Sequence, residues 1–366
     1  MNRSTSRSSD WSVLVLSRHH PQAASSRLRT FQYVPFLEAA GAEVTLAPFF
    51  DEAYLRTLYQ TKGRHFSDVL GAYARRIRSL WSARRFSVVW VEKEVFPYLP
   101  GWMETVLART GVPYVVDYDD ATFHTYDQHR LGPVRAVLGE KLRPLLHSAS
   151  AVTLGNSYLE DYVRQRTDCE IVRIPTAVDM ARYTGAPDAP DDELRIGWIG
   201  TPATTKYLEM LREPLLRVSR VRSIRLITIG ASSLEGFDVP LEQHPWSADT
   251  EARILSSLHV GVMPLPDEPW ERGKCGYKLI QYMAAGRPVV ASPVGVNRDI
   301  VTPDVGFLAI DSNAWTESLK RLGGERELRW RMGQAGRKLV EQRFSTRVVA
   351  PKICETLIKS ASKDRP

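Results

Sequence analysis

The residues best suited to bind an anion lie in the segment 272–294, which reads RGKCGYKLIQYMAAGRPVVASPV. The run 277–285 contains no helix breaker, and the Gly-Arg-Pro that follows ends it, so we predict a helix of about three turns. Its start collects free backbone amides and the positive end of the helix dipole, which favours a phosphate or diphosphate. The residues predicted to contact this ligand through side chain or backbone are Lys274, Cys275, Gly276, Tyr277 and Lys278.

A second candidate loop, 200–206, reads GTPATTK and connects a predicted strand to a helix. Its small residues let the backbone approach a ligand. Its threonine hydroxyls can bond phosphate oxygens or cap the helix that follows, and both roles stay open. The candidate contacts in this loop are Gly200, Thr201, Thr204 and Lys206.

The sequence KLIQYMAAGRPVVASPVG at 278–295 resembles the donor-site motif of retaining glycosyltransferases of family 4, and WIGTPATTKYL at 198–208 is a looser match. The resemblance implies the GT-B fold, in which two Rossmann-like domains face each other across a cleft. It implies transfer of a sugar from a UDP- or GDP-sugar donor to a glycan or lipid-linked acceptor, with retention of configuration, in cell-surface polysaccharide or glycolipid assembly. No metal or other cofactor is implied. Lys278 matches the family lysine that binds the diphosphate.

The chain departs from this family at two carboxylates. The family carries two glutamates eight positions apart, one near the donor sugar and one on the ribose, and the corresponding residues here are Gly273 and Gln281. The Gln281 amide can still bond a ribose hydroxyl. Glu271 lies two residues early and reaches the sugar only if the loop is shifted. Two alternatives therefore stay open: a sugar-nucleotide epimerase of the same fold, and a degenerate transferase that serves as a binding subunit.

Acidic residues and a histidine follow predicted strands of the N-terminal half. The run 117–127 reads DYDDATFHTYD, and Glu92 ends an earlier strand. Side chains at the carboxyl ends of parallel strands are placed for catalysis or for binding sugar hydroxyls, whereas helix capping and an internal His–Asp pair are the alternative. By analogy with the family, we expect His124 near the donor sugar and Asp119, Asp120 or Glu92 orienting the acceptor.

Short β-branched or aromatic runs alternate with longer amphipathic stretches along the whole chain, which is typical of βαβ units and parallel sheets. We therefore predict an α/β fold with two doubly wound sheets, one of six strands before residue 176 and one of five strands after residue 193. The predicted divisions are an acceptor-binding domain over 1–180, a linker over 181–193, a donor-binding domain over 194–345, and a last helix over 346–366 that closes the second domain or packs back on the first.

Composition narrows the setting of the protein. The 366 residues carry a net charge of +7, which favours anionic partners. The three cysteines are far apart and show no CxxC spacing, so neither a disulfide framework nor a zinc site is indicated. The apolar run 13–16 is too short for a signal peptide or a membrane span. We expect a cytoplasmic protein.

The segment 56–85 holds eight basic side chains against one acid, interleaved with aromatic and leucine residues. A basic amphipathic helix of this type suits an anionic membrane surface, so we expect peripheral binding at the inner face of the membrane. The alternative is that Leu70, Ile77, Leu80 and Trp81 face the core. No RNA or DNA motif is recognisable, and no nucleic-acid partner is expected.

Overall fold

A computed structural model describes residues 11–21, 24–52, 66–183 and 191–362. The described residues through Pro175, joined by those from Val349 onward, form one compact unit, and Thr176–Val348 forms a second. Of the predicted linker 181–193, the stretch 184–190 lies outside the described residues, as does the part of the basic segment before residue 66. Most of the last helix, Thr346–Ala361, belongs to the first unit.

The first unit contains a six-stranded parallel sheet. Its strands are Trp11–Leu16 (β1), Ala42–Leu46 (β2), Val88–Glu92 (β3), Tyr114–Tyr118 (β4), Ala151–Leu154 (β5) and Glu170–Arg173 (β6). They lie in the order β2-β1-β3-β4-β5-β6, and the six strands predicted for this half are confirmed. Val13 pairs with Val44 on one side and with Val88 on the other, so the strand order reverses beside β1.

The second unit contains another six-stranded parallel sheet. Its strands are Leu194–Ile199 (β7), Ile224–Ile229 (β8), Leu241–His244 (β9), Val260–Met263 (β10), Val289–Ala291 (β11) and Gly306–Leu308 (β12). They lie in the order β12-β11-β10-β7-β8-β9. The strand order reverses between β7 and β10, and ligands of doubly wound sheets bind at such a point. The prediction missed β9, because its sequence LEQH is short and polar, which an edge strand tolerates.

Helices connect the strands and cover the sheets. In the first unit the α-helices are Ala24–Arg29, Val34–Ala39, Phe66–Ser82, Gly101–Ala108, His124–Asp127, Gly132–Leu138, Arg143–His147 and Ser157–Arg164, with 3-10 turns at Phe31–Tyr33 and Ala83–Arg85. In the second they are Arg212–Ser219, Glu251–Ser256, Pro269–Arg272, Tyr277–Ala284, Asn297–Ile300, Ser312–Gly324 and Arg326–Arg343, with 3-10 segments at Met180–Arg182 and Pro202–Leu211.

Both faces of the second sheet are buried, as expected for a parallel sheet with helices on both sides. Because side chains alternate along a strand, Ile196 and Trp198 pack in one apolar cluster and Ile199 in the other. Within the described residues, no helix is long and apolar enough to cross a bilayer.

The hydroxyl of Tyr282 joins the two strands at which the second sheet reverses. It accepts a hydrogen bond from the Ile199 amide at 2.9 Å and donates to the Val262 carbonyl at 3.2 Å. Tyr282 belongs to the helix Tyr277–Ala284 and is fully buried. One side chain therefore fixes this helix against the ends of β7 and β10.

We predict that Tyr282→Phe lowers the free energy of unfolding by about 1 to 3 kcal/mol, because the buried Ile199 amide loses its acceptor. Urea denaturation followed by circular dichroism measures the change. Tyr98→Phe, at an exposed side chain, is the control and should stay within about 0.5 kcal/mol of the parent protein. A Tyr282→Phe variant as stable as this control would contradict the bridging role.

Candidate functional site

The helix Tyr277–Ala284 begins at a tightly constrained turn. Gly276 precedes it with φ at 67°, a left-handed conformation that glycine adopts readily. A Cβ at this position would lie 2.5 Å from the Cδ1 atom of Ile300. The helix has eight residues, slightly over two turns rather than the predicted three. The turn leads directly to Lys278, in the first turn of the helix.

Lys278 places a cation at the carboxyl edge of the second sheet. Its Nζ lies 4.3 Å from the ring centroid of Trp198, near the end of β7. Within the part of the chain that the structure describes, no carboxylate forms an ion pair with it. Burial, assisted by the charge of Lys274, lowers the pKa of Lys278 to about 7. An anion bound here would restore the charged form of the amine.

Lys274 adds a second positive charge one turn of chain before Lys278. Its Nζ lies 6.0 Å from the ring centroid of Trp270, in the short helix Pro269–Arg272. Two ammonium groups at the positive end of a helix repel each other unless an anion lies between them. The arrangement therefore has the electrostatics of a diphosphate site.

Glu271 brings a carboxylate to the same edge. It is buried and accepts a hydrogen bond from the Tyr207 hydroxyl. Its second oxygen, Oε2, is buried without a hydrogen-bond partner among the described residues. Sequence reasoning considered Glu271 only if the loop were shifted, and it missed Tyr207. The signal for Tyr207 was its place directly after the 200–206 loop.

The 200–206 loop mainly holds itself together. The Thr204 hydroxyl accepts from the Thr201 amide at 3.1 Å, which is a capping arrangement. Gly200 donates its amide to the Ile229 carbonyl at 2.9 Å, so the loop starts beside β8. Lys206 is exposed, with its Nζ 5.3 Å from the Tyr207 ring centroid. Both threonines thus take the capping role, while Lys206 extends into solvent.

Two of the predicted ligand contacts, Gln281 and Cys275, have buried side chains. The Gln281 amide nitrogen donates to the Tyr183 hydroxyl at 3.4 Å, a long contact. Tyr277 opens the helix and is half-buried. The structure thus gathers Lys274, Tyr277 and Lys278 at the helix start and sets Gln281 one turn deeper.

The first unit brings three of its predicted residues to one edge. Glu92 is fully buried at the end of β3, where its Oε2 accepts from the Arg18 amide at 3.0 Å; burial raises its pKa, opposed by Lys93. Lys93 Nζ lies 3.0 Å from Asp119 Oδ1. Burial works against the charged form of Asp119, but the charges of Lys93 and Arg29 and a hydrogen bond from Lys93 together outweigh it, so the pKa of Asp119 is lowered. Asp120 is half-exposed and adds to the field that acts on Lys93.

His124 lies on the helix His124–Asp127 with both ring nitrogens engaged. Nδ1 lies 2.8 Å from Asp127 Oδ1, and Nε2 lies 2.8 Å from the Tyr158 hydroxyl. This is the internal His–Asp pair that the sequence left as the alternative. A ligand contact would require His124 to give up one of these two bonds.

Two neighbouring acids belong to buried ion pairs. Asp117 receives two hydrogen bonds from Arg29, at 2.6 and 2.9 Å. Glu94 lies 2.6 Å from Lys141, which also contacts Glu104 at 3.2 Å. Burial raises the pKa of Glu104 to about 7, although Lys141 opposes it. Among the described residues, no group of three or more His, Cys, Asp or Glu side chains could hold a metal ion.

Residues 193–324, within the second unit, match the family model described as "Glycosyl transferases group 1". Two curated relatives, from two strains of Thermus thermophilus, are described as "Probable dual-specificity RNA methyltransferase RlmN". Each is 30% identical over 146 residues, which is 40% of this chain. The chain spans 31% of the length of these relatives.

Solved structures show the same fold. Sucrose-phosphate synthase from Thermosynechococcus elongatus matches with a TM-score of 0.72 at 16% identity, covering 95% of this chain and 98% of that one. HepE of Anabaena, in complex with UDP-glucose, matches with a TM-score of 0.70 at 16% identity, covering 95% and 100%. A glycosyltransferase from Rickettsia africae reaches 0.68 at 13% identity, covering 97% and 99%. The predicted GT-B fold class is therefore confirmed.

The depressed pKa of Lys278 predicts a pH-dependent stability. The folded pKa is about 7 and the ordinary value is 10.5, so between them the unfolded chain binds more protons. Stability should therefore rise with pH across this window, and the full cost of the buried charge applies below about pH 7. Lys278→Met removes that cost and should stabilise the protein by roughly 4 kcal/mol near pH 6.5, with most of the gain lost near pH 9.5.

Urea denaturation at the two pH values measures this difference. Lys338→Met, at an exposed lysine of the helix Arg326–Arg343, is the matched control and should show no such pH-dependent gain. If Lys278→Met changed the free energy of unfolding equally at both pH values, the prediction that burial of the charged Lys278 destabilises the protein would be contradicted.

Proposed function

We propose that the protein is a retaining glycosyltransferase of the family 4 type, which moves a sugar from a UDP- or GDP-sugar to a glycan or lipid-linked acceptor in cell-surface polysaccharide or glycolipid assembly. The observation that carries the proposal is the ammonium of Lys278, which stacks on Trp198 at the start of a helix and pairs with no carboxylate among the described residues. A family match over 193–324 and the UDP-glucose complex of the similar HepE support it.

In the proposed reaction the diphosphate is the leaving group. An acceptor oxygen forms a bond to the anomeric carbon while the bond from that carbon to the diphosphate oxygen breaks, and the electron pair leaves with the diphosphate. The acceptor's proton passes to a diphosphate oxygen on the same face, so no separate base is needed. Lys274, Lys278 and the helix N-terminus stabilise the negative charge that develops.

Glu271 takes the sugar-facing role in this proposal. Tyr207 occupies one of its carboxylate oxygens, and the buried Oε2 is an acceptor for a donor-sugar hydroxyl. The side chain thereby replaces the carboxylate that Gly273 lacks. Gln281, buried against Tyr183, retains an amide for the ribose. In the first unit, the groups proposed to orient the acceptor are Asp119, Asp120 and Glu92. The group proposed to lie near the donor sugar is His124.

Nucleotide binding tests the donor site. Titration calorimetry with UDP, GDP and their sugar conjugates should show micromolar or tighter binding to one nucleotide series. Lys278→Met should weaken it about tenfold to a hundredfold, because a hydrogen bond to a charged group contributes about 1.5 to 3 kcal/mol. Lys338→Met is the matched control. If neither nucleotide series binds, the donor model fails and the binding-subunit alternative takes its place.

Turnover separates the transferase from its alternatives. With a bound nucleotide sugar and an added lipid-linked or glycan acceptor, a transferase releases nucleoside diphosphate only when the acceptor is present. An epimerase yields a free or epimerised sugar without acceptor, and a binding subunit leaves the nucleotide sugar unchanged. Glu271→Gln should lower kcat while nucleotide affinity stays within about twofold, since its loss affects the sugar rather than the diphosphate.

We also propose that the first unit binds an anionic membrane surface through the helix Phe66–Ser82. The alternative was that four apolar residues of this helix face the core. Leu80 is buried, whereas the other three, Leu70, Ile77 and Trp81, are exposed. Trp81 is 81% exposed, and Arg78, Arg84 and Arg85 are exposed near it. Tryptophan and arginine together suit the boundary between headgroups and acyl chains.

Two of the predicted basic residues have other roles. Arg76 is buried and donates to the Ser17 carbonyl, and Arg75 pairs with Asp51 at 3.0 Å. A second exposed tryptophan, Trp102, lies on the neighbouring helix Gly101–Ala108 and is 66% exposed. A cavity of about 280 Å³ is lined by residues of both helices and of the turns that follow them, Leu80, Trp81, Arg84, Val106, Arg109 and Thr110.

Vesicle flotation tests the membrane surface. The parent protein should bind phosphatidylglycerol vesicles and not phosphatidylcholine vesicles, and the double variant Trp81→Ala with Arg84→Ala should weaken that binding at least tenfold. We expect this tenfold loss because an arginine near an anionic membrane contributes about 1 kcal/mol, and the apolar area of the tryptophan adds to it. Trp330→Ala, at a tryptophan 54% exposed in the second unit, is the control. Equal binding by the double variant and the control would contradict this surface.

A further inference from the structure

Trp246 is a partly exposed indole at the carboxyl edge of the second sheet. It follows β9, which ends at His244, and it is 37% exposed. An aromatic side chain at this edge has a place in ligand binding, because ligands of doubly wound sheets bind outside the carboxyl ends of the strands.

A buried carboxylate holds the Trp246 ring in place. The indole Nε1 donates to Glu251 Oε2 at 2.7 Å, and Glu251 is almost fully buried at the start of the helix Glu251–Ser256. The other Glu251 oxygen pairs with Arg182 at 2.8 Å. Because both carboxylate oxygens are engaged, Glu251 cannot rotate away without losing an ion pair. The indole is therefore fixed before any ligand arrives.

Gly230 lies between Trp246 and Gly200, the first residue of the 200–206 loop. Gly230 follows β8 and donates its amide to the His244 carbonyl at 2.9 Å. A Cβ on Gly230 would lie 2.4 Å from the Gly200 carbonyl oxygen and 3.2 Å from the Cβ of Trp246. The surface between the indole and the end of β7 consequently carries no bulky side chain at this point.

The spacing of the strands sets the distance to be bridged. β9 is two strands away from β7, which corresponds to about 10 Å between their ends. Lys278 contacts Trp198 of β7, so the indole of Trp246 follows a strand that lies to one side of the cationic site. Glu271 and Trp270 follow β10, on the opposite side of β7, where the sugar belongs in the proposed function.

We infer that Trp246 is the platform on which the nucleobase of the donor stacks, with Glu251 as the residue that positions it. This inference rests on the proposed donor site. A fixed indole presents a flat π surface, and stacking on it tolerates any base, so Trp246 contributes affinity while other groups choose between uracil and guanine. A ligand without a base gains nothing from it.

The test compares ligands with and without a base. Calorimetry measures the affinity of UDP, GDP and inorganic pyrophosphate for the parent protein, Trp246→Leu and Trp246→Phe. Trp246→Leu should weaken binding of the nucleotide about tenfold, equivalent to about 1.4 kcal/mol, and leave pyrophosphate affinity unchanged. Trp246→Phe keeps a ring and should recover part of the loss.

Controls separate this inference from the proposed function. Trp330→Leu, at an exposed tryptophan of the helix Arg326–Arg343, should bind every ligand as the parent protein does. Glu251→Ala should reproduce part of the nucleotide-selective loss, because the ring is no longer held. Unchanged nucleotide affinity in Trp246→Leu, or equal losses for nucleotide and pyrophosphate, would overturn the stacking role. If the parent protein binds no nucleotide at all, the proposed donor site itself has failed.

Discussion

The second unit is organised around a positive charge that the fold holds at a cost. Lys278 loses hydration through burial, and the positive charge of Lys274 acts in the same direction, so that its pKa is lowered to about 7. A lysine needed only for folding would have an acid beside it or would extend into solvent. Here the Trp198 ring at 4.3 Å supplies a polarisable surface and no counter-charge. In the proposed function, the donor diphosphate supplies this counter-charge.

The elements around Lys278 keep it in that costly position. Gly276 permits the left-handed turn, and Tyr282, one turn further along the same helix, ties β7 to β10. The reversal of strand order leaves a gap between the loops that follow these two strands, so the cation is placed where a ligand has room. Topology, a single glycine and a tyrosine hydroxyl therefore position the site together.

Much of this arrangement could be predicted from the sequence, because it depends on local patterns. Eleven of the strands were recognisable as apolar runs, and Gly286 with Pro288 marked the helix end to within a residue. What escaped prediction depends on contacts between distant segments. Trp198 alternates with Leu194 and Ile196, so it looks like core, and only its contact with Lys278 shows more.

The hydrogen-bond and ion-pair partners of His124 and the acidic residues could not be predicted from the sequence either. His124, Asp119 and Glu92 were chosen because polar residues follow strands, and that placement is correct for all three. The sequence could not show that Tyr158, 34 residues away, would occupy the second nitrogen of His124, or that Lys93 would reach Asp119. Composition predicts which groups gather at an edge, whereas partner geometry decides which remain available to a substrate.

The low pKa of Lys278 also has a chemical consequence. Near neutral pH a large share of the empty protein carries Lys278 as a free amine, whose lone pair is a nucleophile. A bound diphosphate holds the proton on that nitrogen and takes the lone pair away. An amine-selective acylating or aldehyde reagent would thus distinguish empty from occupied molecules at this single side chain. If Lys278 binds the diphosphate as proposed, the same residue would also report chemically on whether the ligand is bound.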